Sequence, residues 1–354
     1  MIMENTPATH YVGIDYLRAF FSICVVVWHE NGFTQPDIKN YGEFSGHVFS
    51  VSDFMNYHVL LAAVPSFFLI ASFLYIAKNR TSAYLKQRVY NLCLLALFWM
   101  VLLTIYAYNY NGLYALAPKS VGDALVIFLT AGSTPYYFFI SLCFVTILTH
   151  FANKLSTRAN IILFLISTCI FTLSPLIAIK TKSWYLTVFW NPMNFLSYPF
   201  AAIVIYRLHN QLLKLRNRYQ WGIFISLIVI AALTAIAEWK YYLDPIFLCG
   251  QKIALPVYTR TSVLISSVAF LLTPLLIRFP SNTIISFMSK YSLALYCLHA
   301  FSFRIFYNQA HFPTLSKSIW IVITLSIGLS YILAITLRVF IRDKYILTIN
   351  NNSS

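Results

Sequence analysis

Ten apolar runs, each about 20 residues long, occupy most of this 354-residue chain, near 12–32, 57–77, 86–108, 134–152, 160–179, 185–206, 220–238, 261–279, 287–308 and 318–341. A helix needs roughly 20 mostly apolar residues to cross the hydrocarbon of a bilayer. Each run is therefore a candidate spanning helix. Composition excludes the alternative of a soluble globule: 59% of residues are hydrophobic and 10% are charged, against about 45–50% and about 25% in soluble domains. So few charges cannot cover a water-facing surface. The fold expected is all-α, a polytopic membrane helix bundle of about ten transmembrane helices. Aromatics make up 18% of the chain and suit lipid-facing helices and interfacial belts. A short amphipathic piece, Val121–Thr130, precedes the fourth run. Pro65, Pro135, Pro175, Pro192, Pro199 and Pro274 fall in or beside runs, where neighbouring helices can satisfy the freed backbone groups.

The distribution of Lys and Arg gives the bundle a direction. With the N-terminus in the cytoplasm, 16 of the 25 Lys and Arg fall on the inner side, including the dense segments 78–88 and 207–218. Cytoplasmic loops collect these residues, so both termini are expected inside. The net charge of +15 reads as this bias rather than as a nucleic-acid footprint, because the cations are scattered between apolar runs. Residues 1–11 lack a basic n-region, and the first run carries Asp15 and Arg18. It is expected to stay as a helix rather than be cleaved as a signal peptide. The chain reads as one transmembrane domain, 1–354, with an N-terminal tail 1–11, a C-terminal tail 342–354 and no soluble domain. Six cysteines are widely spaced without a CxxC, which supports neither a disulfide framework nor a zinc site.

Ionisable residues inside spans are costly and mark function by default. The first run reads Asp15-Tyr16-Leu17-Arg18-Ala19, then Val25-Val26-Val27-Trp28-His29-Glu30. Arg18 and His29 are eleven residues apart, about 16 Å along a helix and nearly on one face. Asp15 lies one turn before Arg18 and can pair with it. One reading makes His29 a general base that deprotonates a hydroxyl, oriented by Glu30 or another carboxylate. The other has Arg18 snorkelling to the inner interface and His29 resting at the outer one. No G-x-S-x-G, P-loop or G-x-G-x-x-G is present.

The same helix resembles the opening of acyltransferase family 3, the integral-membrane O-acyltransferases of bacterial surface glycans. The family hallmark is an Arg, ten residues, then a His, and Asp15, Leu17, Arg18, Ala19, Val26 and His29 match its pattern. Val64-Pro65-Ser66-Phe67-Phe68-Leu69-Ile70-Ala71-Ser72-Phe73-Leu74 resembles its second-helix motif, with Ala71-Ser72 in place of the usual Ser-Gly. Tyr84-Leu85-Lys86-Gln87-Arg88 resembles the entry to its third helix, with Asn91 where the family carries a second Arg. Tyr136-Tyr137-Phe138 resembles its aromatic site, and Tyr291 to His299 resembles a late Ser, Tyr and His segment.

The resemblance implies a transferase of the bacterial inner membrane, most readily an O-acetyltransferase. It would move acetyl from cytoplasmic acetyl-CoA, or another acyl-CoA, to a sugar hydroxyl of a lipid-linked or exported polysaccharide such as O-antigen or exopolysaccharide. His29 would be the catalytic base. Arg18, Lys86 and Arg88 would hold the acyl-CoA, through charge-assisted bonds to its phosphates. Asp15, Glu30, Tyr136, Tyr137 and His299 are candidates for the acceptor side, with no metal. Blander roles stand beside these: a cytoplasmic cation loop for Lys86 and Arg88, an interfacial belt for Tyr136 and Tyr137, and a structural histidine bonded to backbone for His299. Asp37, Glu43, Asp53, Tyr241, Tyr242 and Asp244 in outer segments are further candidates for sugar contact. The expected partners are the bilayer, acyl-CoA and a glycan or glycolipid acceptor. The rival class is a transporter or flippase for a glycan or lipid intermediate, which predicts repeat symmetry between halves; none is visible.

Overall fold

In lipid, a helix is one of the few structures that satisfies every backbone N–H and C=O internally, and the apolar runs fold accordingly. The computed structural model describes residues 11–30, 32–33, 51–108, 121–132, 134–181, 186, 188–243, 257–277, 279–306 and 319–340. All regular structure among them is helical. In chain order the helices are α1 (Val12–His29), α2 (Val51–Phe54), α3 (Ala63–Ala77), α4 (Ser82–Tyr108), α5 (Val121–Thr130), α6 (Tyr137–Ala152), α7 (Thr157–Thr181), α8 (Ser197–Leu213), α9 (Asn217–Leu243), α10 (Thr261–Leu276), α11 (Thr283–Lys290), α12 (Ser292–Phe306) and α13 (Ile319–Phe340). A π-helical stretch, Met55–Leu60, joins α2 to α3, and a 3-10 turn, Pro192–Phe195, precedes α8. Among the described residues six helices are long and apolar enough to cross a membrane, or seven if α11 and α12 form one bent span; α6 and α10 are shorter apolar helices.

Two runs fold differently from a simple reading of their hydropathy. The run at 185–206 is interrupted: residues 188–191 are not helical. The Asn191 side chain accepts from the Met193 N–H, with Pro192 next in line, and the α-helix starts only at Ser197. The run at 287–308 is broken. Asn282 caps α11 by accepting from the Ile284 and Ile285 N–H groups, and α11 and α12 meet at Tyr291 with a bend of 64°.

The bundle is built around α1 and α3. α1 packs against α3, α10, α11, α12, α13 and the π-helical stretch, while α3 packs against α6, α8 and α10. The span Val51–Ala77 is 78% buried and α1 56%, against 17% for the span in α7 and 11% for that in α9. The first two are therefore interior, and α7 and α9 turn most of their surface outward. Gly13 lets α1 lie against α10: a Cβ at Gly13 would stand 2.4 Å from Pro274 Cβ and 2.9 Å from its Cα. Pro274 is part of a rigid ring and cannot swing away. Gly13→Val is expected to destabilise the protein by about 1–3 kcal/mol through overpacking. A thermal melt of the purified variant in detergent checks this, and a midpoint equal to wild type would contradict the close approach.

Candidate functional site

Two serines flanking the bend at Tyr291 bond the two charged residues of α1. Ser289 lies before the bend and Ser292 after it. The Ser289 hydroxyl donates to Asp15 Oδ1 at 2.6 Å, and Arg18 Nη2 donates to Ser292 Oγ at 3.3 Å. Arg18 is buried and stands within reach of the Asp15 charge. Ser289 and Ser292 are three residues apart, as are Asp15 and Arg18, and this spacing sets each pair on one side of its segment. Asp15 and Arg18, which their spacing allows to pair, each bond a serine of the α11–α12 segment.

Arg18 is also part of a wider cationic rim. The loop after α3 turns through Asn79, whose φ of 44° is left-handed, a conformation Asn tolerates better than most residues. This turn sets Lys78 and Arg80 beside the start of α4. Burial, followed by the charges of Arg80, Arg18 and Arg88, pushes the Lys78 ammonium below its ordinary pKa. Four cations thus share one neighbourhood. Arg88 Nη1 donates to Tyr84 Oη at 3.3 Å, while Arg88 Nε is buried without a partner among the described residues. Arg80 lies 4.2 Å over the Tyr84 ring. Below them His150 Nδ1 meets Tyr75 Oη at 3.0 Å, and His150 Nε2 meets Ser82 Oγ at 3.2 Å. Lys86 is exposed and two residues from Arg88, roughly 200° around α4. Of the three proposed donor-side cations, the structure brings Arg18 and Arg88 together around Lys78 and leaves Lys86 on another face.

At the far end of α1, His29 is exposed yet surrounded by protein. Its imidazole stands in an internal opening of the bundle, not on the outer face. The His299 ring on α12 lies beside it, with centroids 4.9 Å apart and planes tilted by 38°. Arg18 and His29 therefore both face the α11–α12 segment. Glu30, one residue further on, is turned elsewhere: it is buried, and its Oε1 accepts from Ser326 Oγ of α13 at 2.8 Å. A single residue step rotates the side chain by about 100°, which carries Glu30 away from the imidazole it was expected to orient.

Tyr136 and Tyr137 are core residues, not an interfacial belt. Tyr136 Oη donates to the Cys297 carbonyl at 3.0 Å, and Tyr137 Oη donates to Tyr258 Oη at 2.7 Å. Tyr296 donates in turn to the Pro135 carbonyl. The Tyr136–Cys297 and Tyr296–Pro135 bonds tie the start of α6 to the turn of α12 that carries His299, and the Tyr137–Tyr258 bond ties it to the segment before α10. Buried tyrosines need such partners for their hydroxyls.

A second polar cluster joins residues that no sequence motif connects. His58 is buried in the π-helical stretch, and its Nε2 accepts from Trp239 Nε1–H at 3.0 Å. Its Nδ1 meets Ser262 Oγ at 3.3 Å. Glu238 accepts from the Ser262 N–H at 2.9 Å and from the Ser262 hydroxyl, and Arg260 donates to the Tyr57 carbonyl. The available signal was an ionisable residue within an apolar run, Glu238 at the end of 220–238. Asp53 is buried in α2. Asp37, Glu43 and Asp244 lie outside the described residues, as do the side chains of Tyr241 and Tyr242. Because the cluster's hydrogen bonds are internal, we expect His58→Leu to cost about 1–3 kcal/mol of stability by stranding the indole N–H. Acyl-donor affinity should be unchanged. Paired melting and donor-binding measurements check both, and a variant as stable as wild type would contradict this role.

Among the described residues, no group of three or more His, Cys, Asp or Glu could hold a metal ion. The helices define a multi-pass membrane protein, with a buried cation and an imidazole on one face of its first helix. A family model described as an acyltransferase domain, that of acyltransferase family 3, matches residues 11–339, nearly the whole chain, and the chain belongs to that family. No match is found among the curated proteins or among the solved structures.

Proposed function

We propose that this membrane acyltransferase is an O-acetyltransferase that moves acetyl from cytoplasmic acetyl-CoA to a sugar hydroxyl of a lipid-linked or exported cell-surface polysaccharide. The observation that carries the reading is the placement of Arg18 and His29 on one face of α1. Arg18 joins the cations Lys78, Arg80 and Arg88, and His29 occupies an internal opening about 16 Å further along the helix. The rim suits the phosphates of an acyl-CoA, which Arg and Lys bind through charge-assisted hydrogen bonds. The donor's arm would then run along α1 toward the imidazole.

In this reading His29 takes the proton of the acceptor hydroxyl as the oxygen attacks the thioester carbonyl. The C–O bond forms, the C–S bond breaks, and the proton passes to the sulfur of the departing CoA. The bundle would cross the inner membrane ten times with both termini in the cytoplasm. That puts the Lys78–Arg88 rim on the side where acyl-CoA is made. Arg18, Arg88, Lys78 and Arg80 are the donor-side residues. Lys86, exposed on another face of α4, contributes general positive charge. Asp15 acts through Arg18, while Tyr136 and Tyr137 shape the α6–α12 wall of the acceptor side.

The decisive experiment compares the cell's surface polysaccharide by NMR and mass spectrometry with and without the intact gene. Loss of O-acetyl groups in its absence, restored by the wild-type gene, is the expected result. An unchanged polysaccharide, together with movement of a glycan or lipid intermediate that needs no acetyl-CoA, would replace this reading with a transporter.

A further inference from the structure

A general base needs its second nitrogen held, because the hydrogen bond made by one nitrogen of an imidazole decides what the other can do. In catalytic triads a carboxylate does this. Here no carboxylate does: Glu30 is engaged by Ser326, and none of the described residues hydrogen-bonds to His29. The neighbouring imidazole has the complementary lack. His299 Nδ1 lies 2.5 Å from the Tyr296 carbonyl of its own helix. A carbonyl oxygen can only accept, so Nδ1 carries the proton and Nε2 keeps its lone pair. That Nε2 is buried and has no partner among the described residues. One ring therefore has an N–H with no acceptor, and the ring beside it has an acceptor with no donor.

We propose that His299 is the positioning residue for His29: its Nε2 accepts the His29 N–H and leaves the other His29 nitrogen unprotonated toward the acceptor hydroxyl. This rests on the reading of His29 as the base. The geometry allows the bond with little movement. An N–H···N bond of about 2.9 Å between two imidazoles puts their centroids roughly 5 Å apart, and the observed separation is 4.9 Å. A rotation of His29 within its opening completes the contact. His299 is buried on α12, whose turn is fixed by the bonds Tyr136–Cys297 and Tyr296–Pro135. The acceptor nitrogen is therefore held by the bundle, as a positioning group must be. During transfer the hydroxyl proton moves to the free His29 nitrogen, the resulting imidazolium shares its N–H with His299 Nε2, and the proton then leaves with the CoA sulfur. His299 begins and ends neutral, and no other reactant is consumed.

Two substitutions separate this role from a structural one. Gln carries its amide oxygen near the position of Nε2, so His299→Gln keeps an acceptor for His29 and loses the bond to Tyr296. Asn stops near Nδ1, so His299→Asn keeps a donor for the Tyr296 carbonyl and loses the acceptor. Both full-length variants are measured in membranes, as CoA released from acetyl-CoA and as acetyl on the cell's own polysaccharide. We expect His299→Gln to retain kcat within about 3-fold, and His299→Asn to lose about 100-fold in kcat, the scale of misplaced acid–base catalysis. KM for acetyl-CoA should be unchanged in both. A structural histidine gives the reverse order. Equal activities, the reverse order, or loss in both variants overturns the proposal. If wild type itself releases no CoA, or His29→Ala is fully active, it is the underlying assignment of His29 that has failed. If His29→Ala is inactive and the Gln and Asn variants do not separate, His299 alone has been misassigned.

Discussion

His29→Ala is expected to abolish acetylation of surface polysaccharide while the protein still folds and inserts. The imidazole stands in an opening, and none of the described residues hydrogen-bonds to it. Its removal therefore breaks no hydrogen bond to the described residues, and breaking buried hydrogen bonds is a usual origin of large stability losses. Its chemical loss is large. Without a base the hydroxyl must attack as a neutral oxygen, and acid–base catalysis of this kind is worth about 10²–10⁴-fold. The measurement is acetyl content of the polysaccharide beside the amount of protein in the membrane. Normal acetylation at a normal protein level would remove His29 from the reaction.

Arg18→Gln is expected to act on the other end of the same helix. Glutamine can still donate to Ser292, so the bend at Tyr291 keeps a contact with α1. What disappears is the charge that joins Lys78, Arg80 and Arg88. Hydrogen bonds to charged groups contribute about 1.5–3 kcal/mol, and tenfold in affinity corresponds to about 1.4 kcal/mol. KM for acetyl-CoA should rise on the order of 10- to 100-fold, with a smaller change in kcat. The opposite pattern, a fall in kcat at constant KM, would move Arg18 from donor binding to the chemistry. Raised salt should weaken the wild type in the same direction, because screening acts first on the exposed part of the rim.

Much of this was legible in the sequence for a physical reason. Helices in lipid must be apolar along their length, so the runs announce them, and an eleven-residue spacing places Arg18 and His29 on one face without tertiary information. The partners of that face were less accessible. Ser289 and Ser292 are ordinary residues whose value comes from the packing of the α11–α12 segment against α1, and nothing in their identities specifies that partner. The His58, Glu238 and Ser262 cluster joins positions as far apart as 204 residues, which periodicity cannot connect. Glu30 shows the opposite error: adjacency to His29 suggested cooperation, but adjacent residues on a helix point in different directions. Tyr136 and Tyr137 fit a belt by composition, and only the packing of α6 against its neighbours shows them to be interior.

The close contact of Gly13 with Pro274 has a mechanical meaning for the whole molecule. α1 is locked at its first turn against α10, held at Asp15 and Arg18 by two serines, and runs unbroken to His29. It behaves as a stiff rod, so the interval between its cation and its imidazole is a fixed ruler set by backbone geometry. A molecule that must touch both marks has to bring its own reach. A thioester on a long flexible arm meets that requirement, and a compact acyl phosphate, whose charge sits next to its reactive carbon, does not.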